Sequence, residues 1–174
     1  RNKDLIETTR DETIYATPNW LLKKIAKSWP EKWREILTAA NEKPPLSLRI
    51  NALKLSRDSY LNILKQKGLS GRYSKISPWG IILEKPTGIG KIPGFSSGLV
   101  SIQDSAAQIT PFLCHPKPGA NVLDACAAPG GKSTHLLECF PDMGSLTAID
   151  IPARCGSINE NLSRLGLTAL VKCV

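Results

Sequence analysis

The residues with types and spacing suited to chemistry run from Asp124 through Cys126, Ala127, Ala128, Pro129, Gly130, Gly131 and Lys132 to Ser133 and Thr134. An apolar stretch ends on an acid, a glycine-rich turn comes next, and a helix-forming stretch begins. A strand, a turn and a helix so joined aim backbone N–H groups at one point and let a nucleotide-like ligand approach the main chain. Three ligand classes compete for such a turn. A phosphate-binding loop needs a glycine five residues before Gly131, but Cys126 stands there and Pro129 interrupts the loop. A dinucleotide fingerprint needs G-x-G-x-x-G, which Gly130-Gly131 cannot supply. The third class is a nucleoside-type cofactor without a pyrophosphate, such as S-adenosylmethionine. It needs an acid at the end of the next strand to accept from the ribose hydroxyls. Asp150 closes the apolar run Leu146 to Ile149 and lies about 20 residues past the turn, as such an acid should. Its competing role is a helix N-cap.

Other reactive side chains point less sharply. Cys114, Cys126, Cys139, Cys155 and Cys173 include no C-x-x-C, and His115 and His135 form no paired-ligand pattern, so no metal site is expected. The odd cysteine count and the absence of a signal segment argue against a disulfide framework and for reduced thiols in a cytoplasmic protein. No apolar run approaches the roughly 20 residues of a membrane span. The polar start at Arg1 without Met suggests a piece of a longer chain.

The elements that must hold the turn are set by periodicity. From Leu99, the chain reads as a short strand (99–102), a helix (106–113), a strand (121–126), the turn, a helix (133–139), a strand (145–150), a helix (155–165) and a last strand from Leu167. The β-α-β-α-β part of this alternation, around the turn and after it, indicates α/β architecture, the first half of a Rossmann-like doubly wound parallel sheet. Upstream, residues 44–98 read as a small α+β module. It comprises a half-buried strand over Leu46–Asn51, a helix capped by Ser56 and ended by Gly68, a strand over Trp79–Glu84, and a Pro- and Gly-rich loop. Residues 19–40 read as two short helices separated at Pro30, with Trp20, Trp29 and Trp33 assigned to a helical core rather than to base stacking.

Charge divides the chain at the same place. The net charge is +8, with 18 basic and 9 acidic residues up to residue 100 and 5 against 6 beyond it. A basic module joined to a near-neutral one suggests a polyanionic partner, with nucleic acid the commonest. A solvated lysine-rich surface is the plainer alternative.

The Asp124–Thr134 stretch resembles the cofactor motif of RNA cytosine-5 methyltransferases. Within that superfamily the chain is similar to the bacterial RsmB/Sun (Fmu) family, which methylates 16S ribosomal RNA. Three further segments carry the likeness. They are Pro44-Pro45 to Asn51 (with Lys43 in place of an Arg), Gly98 to Asp104, and Asn161 to Gly166. The resemblance spans about residues 15–174. It implies S-adenosylmethionine as cofactor, with Cys126, Ala127, Ala128, Pro129, Gly130, Gly131 and Lys132 along its methionine end and Asp150 on its ribose. It implies 16S ribosomal RNA, unassembled or early in assembly, as partner of the basic module, with Arg49 the best candidate contact. No membrane, no metal and a monomeric state are expected. The implied organisation is residues 1–43 trailing an N-terminal NusB-like domain, 44–98 as the RNA-binding module, and 99–174 as the N-terminal half of the methyltransferase domain. The family's nucleophilic cysteine adds to carbon 6 of the target cytosine and stands after Pro, with a second cysteine after Thr. None of the five here does, so no catalytic residue is expected in this chain and the nucleophile is expected downstream of Val174. The chain alone is then expected to be inactive. A non-catalytic RNA-binding scaffold is the competing reading. Ile151 to Gly156 departs from the family's longer charged helix start, and Gly156 inside a helix costs about 1 kcal/mol relative to Ala.

Overall fold

A computed structural model describes residues 11–174; the first residues, and with them the polar start, lie outside it. The chain divides into two compact units, one ending at Pro44 and one running from Pro45 to Val174.

In the first unit, α1 spans Asp11–Ile14, α2 Asn19–Ser28 and α3 Trp33–Asn41. Pro30 lies in the break between α2 and α3, as expected from its missing N–H. Trp33 and Leu37 are buried, Tyr15 meets the Trp33 ring edge-on at 5.5 Å, and Asn41 Nδ2 donates to the Tyr15 carbonyl at 2.8 Å. Trp20 and Trp29 are 63% and 57% exposed, so the core assignment holds for only one of the three tryptophans. The interval of nine residues between Trp20 and Trp29, across a helix end, does not place them on the face that carries Trp33.

The second unit holds two sheets. The first is antiparallel, in the order β2-β3-β1-β4, from β1 (Leu46–Ile50), β2 (Gly71–Tyr73), β3 (Gly80–Leu83) and β4 (Val100–Ile102). Helix α4 (Arg57–Gln66) is capped by Ser56, whose side chain accepts from the Ser59 N–H at 3.1 Å. Tyr60 and Leu64 pack with Leu48, Ile50, Ile81, Leu83 and Val100 in the core on one face of this sheet. Two features differ from the sequence reading. The short strand β2 forms a hairpin with β3. Strand β4 pairs with β1 in the antiparallel sheet, with Leu48 opposite Ile102, so it does not open the parallel one. An isolated three-residue strand carries no pattern that tells a parallel from an antiparallel partner.

The second sheet is parallel, in the order β5-β6-β7, from β5 (Asn121–Asp124), β6 (Ser145–Asp150) and β7 (Leu170–Cys173). Helix α5 (Thr110–Cys114) precedes it, and α6 (Gly131–Cys139) and α7 (Pro152–Leu165) make the crossovers. Leu136, Leu146, Ala148, Ile158 and Leu162 form its core. The β-α-β-α-β order matches expectation, but α7 starts on Pro152 at its first turn, where proline is favoured, instead of at residue 155. Cys155 is disulfide-bonded, against the expectation of reduced thiols, whereas Cys114, Cys126 and Cys139 are free.

Alternation in the sequence predicts a half-buried β1. Leu48 and Ile50 fill the core, but Ser47 and Arg49 on the other face are also buried, at 7% and 0% exposure. Hydrogen bonds from Arg49 to Thr134 and Glu138 of α6 account for this, since α6 packs over that face.

Candidate cofactor site

The glycine loop sits where the strand ends place it. The Ala127 N–H donates to the Ile149 carbonyl at 3.1 Å, which holds the loop against β6. Asp124, at the end of β5, accepts from the Cys126 N–H at 3.3 Å and from the Ser133 hydroxyl at 2.6 Å, so it spans the turn. Gly130, the N-cap of α6, has φ +96°, a left-handed value that only glycine adopts without strain. The Ala128–Pro129 peptide is cis. Asn161 of α7 donates to the Pro129 carbonyl at 2.7 Å, and Arg154 donates to the Ala128 carbonyl at 3.1 Å.

A cavity of about 200 Å³ opens beside this loop. Six of the eight residues expected at a cofactor line it, namely Cys126, Ala127, Ala128, Pro129, Gly131 and Lys132. Gly130 shapes the turn instead. Asp150 does not line the cavity. Its Oδ2 accepts from the Ala128 N–H at 2.8 Å and its Oδ1 from the Ile151 N–H at 2.9 Å, so it ties the loop to β6. These N–H groups, led by that of Ala128, hold its carboxyl below the usual aspartate value, and Arg154 adds an ion pair at 3.6 Å. The alternative capping role for Asp150 is not seen, because Ile151 is the N-cap of α7 and no side chain caps it.

The opposite wall comes from the last strand of the antiparallel sheet and the segment leading out of it. Ile102, Gln103 and Ala107 line the cavity, together with Asp124. Sequence reasoning gave Ile102, Gln103 and Ala107 no place at the site, and gave Asp124, the first residue of the motif, no contact there. The segment containing Gln103 and the acid that ends β5 were the available signals. Gln103 Oε1 accepts from Arg49 at 2.9 Å, while its Nε2 has no protein partner. The cavity is therefore bordered by an unengaged amide donor, a backbone loop shaped for close approach and the Asp124 carboxylate, with the Asp150 carboxylate held behind the loop. That set suits a ligand with an acceptor at one end and hydroxyl donors at the other, as S-adenosylmethionine has in its carboxylate and ribose.

Arg49 does not face solvent as an RNA contact would. Its guanidinium is fully buried and pairs with Glu138 at 2.8 Å. Burial lowers the Arg49 pKa and raises that of Glu138, each opposed by the attraction between the two charges. His135, also buried, meets Trp79 edge-on at 4.7 Å, and burial pushes its pKa down to about 3, with Arg49 acting in the same direction. Cys139, half-buried beside this pair, has its thiol pushed up to about 12 by burial. Among the described residues no cluster of three or more His, Cys, Asp or Glu could hold a metal ion, and no helix is long and apolar enough to cross a membrane.

Comparison with known proteins gives two family matches. Residues 17–90 match the ferredoxin-like domain of RsmF/B-like methyltransferases, and residues 111–174 match the 16S rRNA methyltransferase RsmB/F family. The chain is 44% identical over 95% of its length to a probable ribosomal RNA small subunit methyltransferase B of Coxiella burnetii. It is 41% identical over 97% of its length to ribosomal RNA small subunit methyltransferase B of Escherichia coli K12. It spans 39% of the length of each of these two relatives. A solved methyltransferase homologue from Pyrococcus horikoshii superposes with a TM-score of 0.76 at 29% identity, over 94% of this chain and 54% of that one. NSun6 from the same organism shares the fold, with a TM-score of 0.79 at 19% identity over 90% of this chain and 65% of that one. S-adenosylmethionine is the cofactor of the matched family. With the matches running in order along both sheets, the chain belongs to the 16S rRNA methyltransferase RsmB/F family.

Proposed function

We infer that this chain is the RNA-binding and cofactor-binding portion of an S-adenosylmethionine-dependent methyltransferase acting on carbon 5 of a cytosine in 16S ribosomal RNA. The observation that carries the reading is the cavity between Gln103 and the loop Cys126–Lys132, with an amide donor and the Asp124 carboxylate on its walls and Asp150 bonded to the loop behind it. The bound cofactor supplies the methyl group. The protein's part here is to hold it. Backbone groups of Ala127 to Gly131 border the methionine end, and the Gln103 amide donates to its carboxylate. Asp150, fixed by two N–H groups, accepts from the ribose hydroxyls through its remaining lone pairs. Cys126 lines the cavity but plays no part as nucleophile.

The cysteines that attack carbon 6 and release the product belong to a part of the protein outside residues 1–174. Residues 99–174 act as the cofactor-binding half of the catalytic domain, and the preceding modules recognise RNA. Lys23, Lys24 and Lys27 of α2 share that helix with the exposed Trp20 and lie just before the exposed Trp29, which suits a single-stranded partner that is both anionic and able to stack. The target cytosine must leave any stack to be reached.

The test is methyl transfer from labelled S-adenosylmethionine to 16S RNA by the full-length protein and by residues 1–174. The expected result is 5-methylcytosine with the first and none with the second. A full-length protein that binds RNA but neither binds nor uses the cofactor would instead be the non-catalytic scaffold.

A further inference from the structure

We propose that Arg49 is a positioning residue for the cofactor. Its buried guanidinium ties together the two walls of the cavity, Gln103 from the antiparallel side and Gly131 from the glycine loop. This inference rests on the reading that the cavity receives S-adenosylmethionine.

Arg49 stands on β1, on the sheet face opposite to the core residues Leu48 and Ile50. Its Nη1 donates to Gln103 Oε1 at 2.9 Å and to the Gly131 carbonyl at 2.5 Å. Its Nη2 donates to Glu138 Oε1 at 2.8 Å and to Thr134 Oγ1 at 3.0 Å. Thr134 in turn donates to the Gly130 carbonyl at 2.8 Å, which extends the hold into the turn. Thr134 and Glu138 are four residues apart on α6 and share one face of it. One planar fork therefore reaches the helix, the loop and the far wall.

A stabilising role alone does not account for this arrangement. An ion pair taken out of water is commonly no better than well-packed apolar side chains, because desolvation offsets the attraction. The position of the acceptors does account for it, since Gln103 and Gly131 both line the cavity. Arginine only donates, so the oxygen of the Gln103 amide must face it, and the nitrogen is left as the unengaged donor. Without the guanidinium the amide loses the partner that fixes which of its ends serves the ligand. Lysine cannot replace it, because an ammonium is a point charge and lacks the planar fork.

The experiment uses the full-length protein. It measures S-adenosylmethionine affinity by calorimetry, KM for cofactor and for 16S RNA, kcat, and urea unfolding. Arg49→Lys keeps the charge opposite Glu138. It is expected to raise both the dissociation constant and KM for the cofactor tenfold or more, with kcat and the RNA KM within twofold. Glu138→Gln leaves the bonds to Gln103 and Gly131 in place. It should lower stability while the cofactor constant stays within threefold, a separation that a purely structural role would not produce. Should Arg49→Lys fail to fold, Gln103→Met removes the oriented amide and is expected to show the same cofactor-specific rise. Cofactor constants within twofold of wild type in the folded variants, or a rise confined to the RNA KM, would overturn the inference. A wild-type protein that does not bind the cofactor would instead sink the functional reading, and this inference with it.

Discussion

Basic side chains do opposite work in the two units. In the helical unit, Lys23, Lys24, Lys27, Lys32 and Arg34 are all exposed, on helix faces that water can reach. In the second unit, Arg49 is wholly buried, and Arg164 reaches inward to the Phe95 and Val100 carbonyls at 2.7 and 2.9 Å. The first set contributes field, which is long-ranged, screened by salt and tolerant of position. The second contributes hydrogen bonds, which are short-ranged and tied to particular acceptors. A net charge of +8 adds the two kinds together and hides the difference.

The largest effect that separates them lies at Arg49. Arg49→Met leaves Glu138 buried without its cation and should destabilise the full-length protein by about 3–5 kcal/mol in urea unfolding. Adding Glu138→Leu should recover much of that loss. A loss under about 1 kcal/mol would mean that the pair is solvated and the contrast between the units is false.

His135 sharpens the same contrast through pH. Its folded-state pKa of about 3 lies below the ordinary 6.5, so the fold favours the neutral ring. Its contribution is intact above about pH 6.5 and is lost as pH falls toward 3, with a slope approaching ~1.4 kcal/mol per pH unit. His135→Phe keeps the edge-on contact with Trp79 and should flatten the stability profile by about 2 kcal/mol at pH 5. An unchanged acid limb would show that the ring is not held neutral.

Gly130→Ala probes the loop that Arg49 grips. A left-handed alanine costs about 1–2 kcal/mol, and cofactor affinity should fall along with stability. Wild-type affinity in this variant would mean that the turn relaxes freely.

The smallest stability effect is expected on the exposed side. Replacing Lys23, Lys24 and Lys27 with Ala should leave stability within about 0.5 kcal/mol. It should also lower RNA affinity and reduce the salt slope of binding by about 2. An unchanged slope would return these lysines to the solvated-surface reading.

Much of the fold was legible because it depends on local pattern. The break at Pro30, the Ser56 cap, the glycine turn and the alternation of strands and helices after Asn121 each rest on residues near one another in sequence. The site was legible to the same extent. Six of its loop residues come from the motif, whereas Gln103 lies 28 residues before Gly131 and shares a cavity with it only in space. Trp20 and Trp29 misled because tryptophan in a periodic helix is normally core, and periodicity cannot count how many faces are covered.

From its sequence alone, then, this chain determines a basic half and a near-neutral half, a glycine-rich turn closed by Gly130, and an acid at the end of the next strand. Each is set by residue type and short-range spacing. Only the tertiary structure decides that β4 joins the antiparallel sheet, that Asp150 spends two acceptor sites on its own loop, and that Arg49 points inward. Strand pairing and burial depend on what packs across a face. For Arg49 that is Glu138, 89 residues away in sequence, and no local pattern brings the two together.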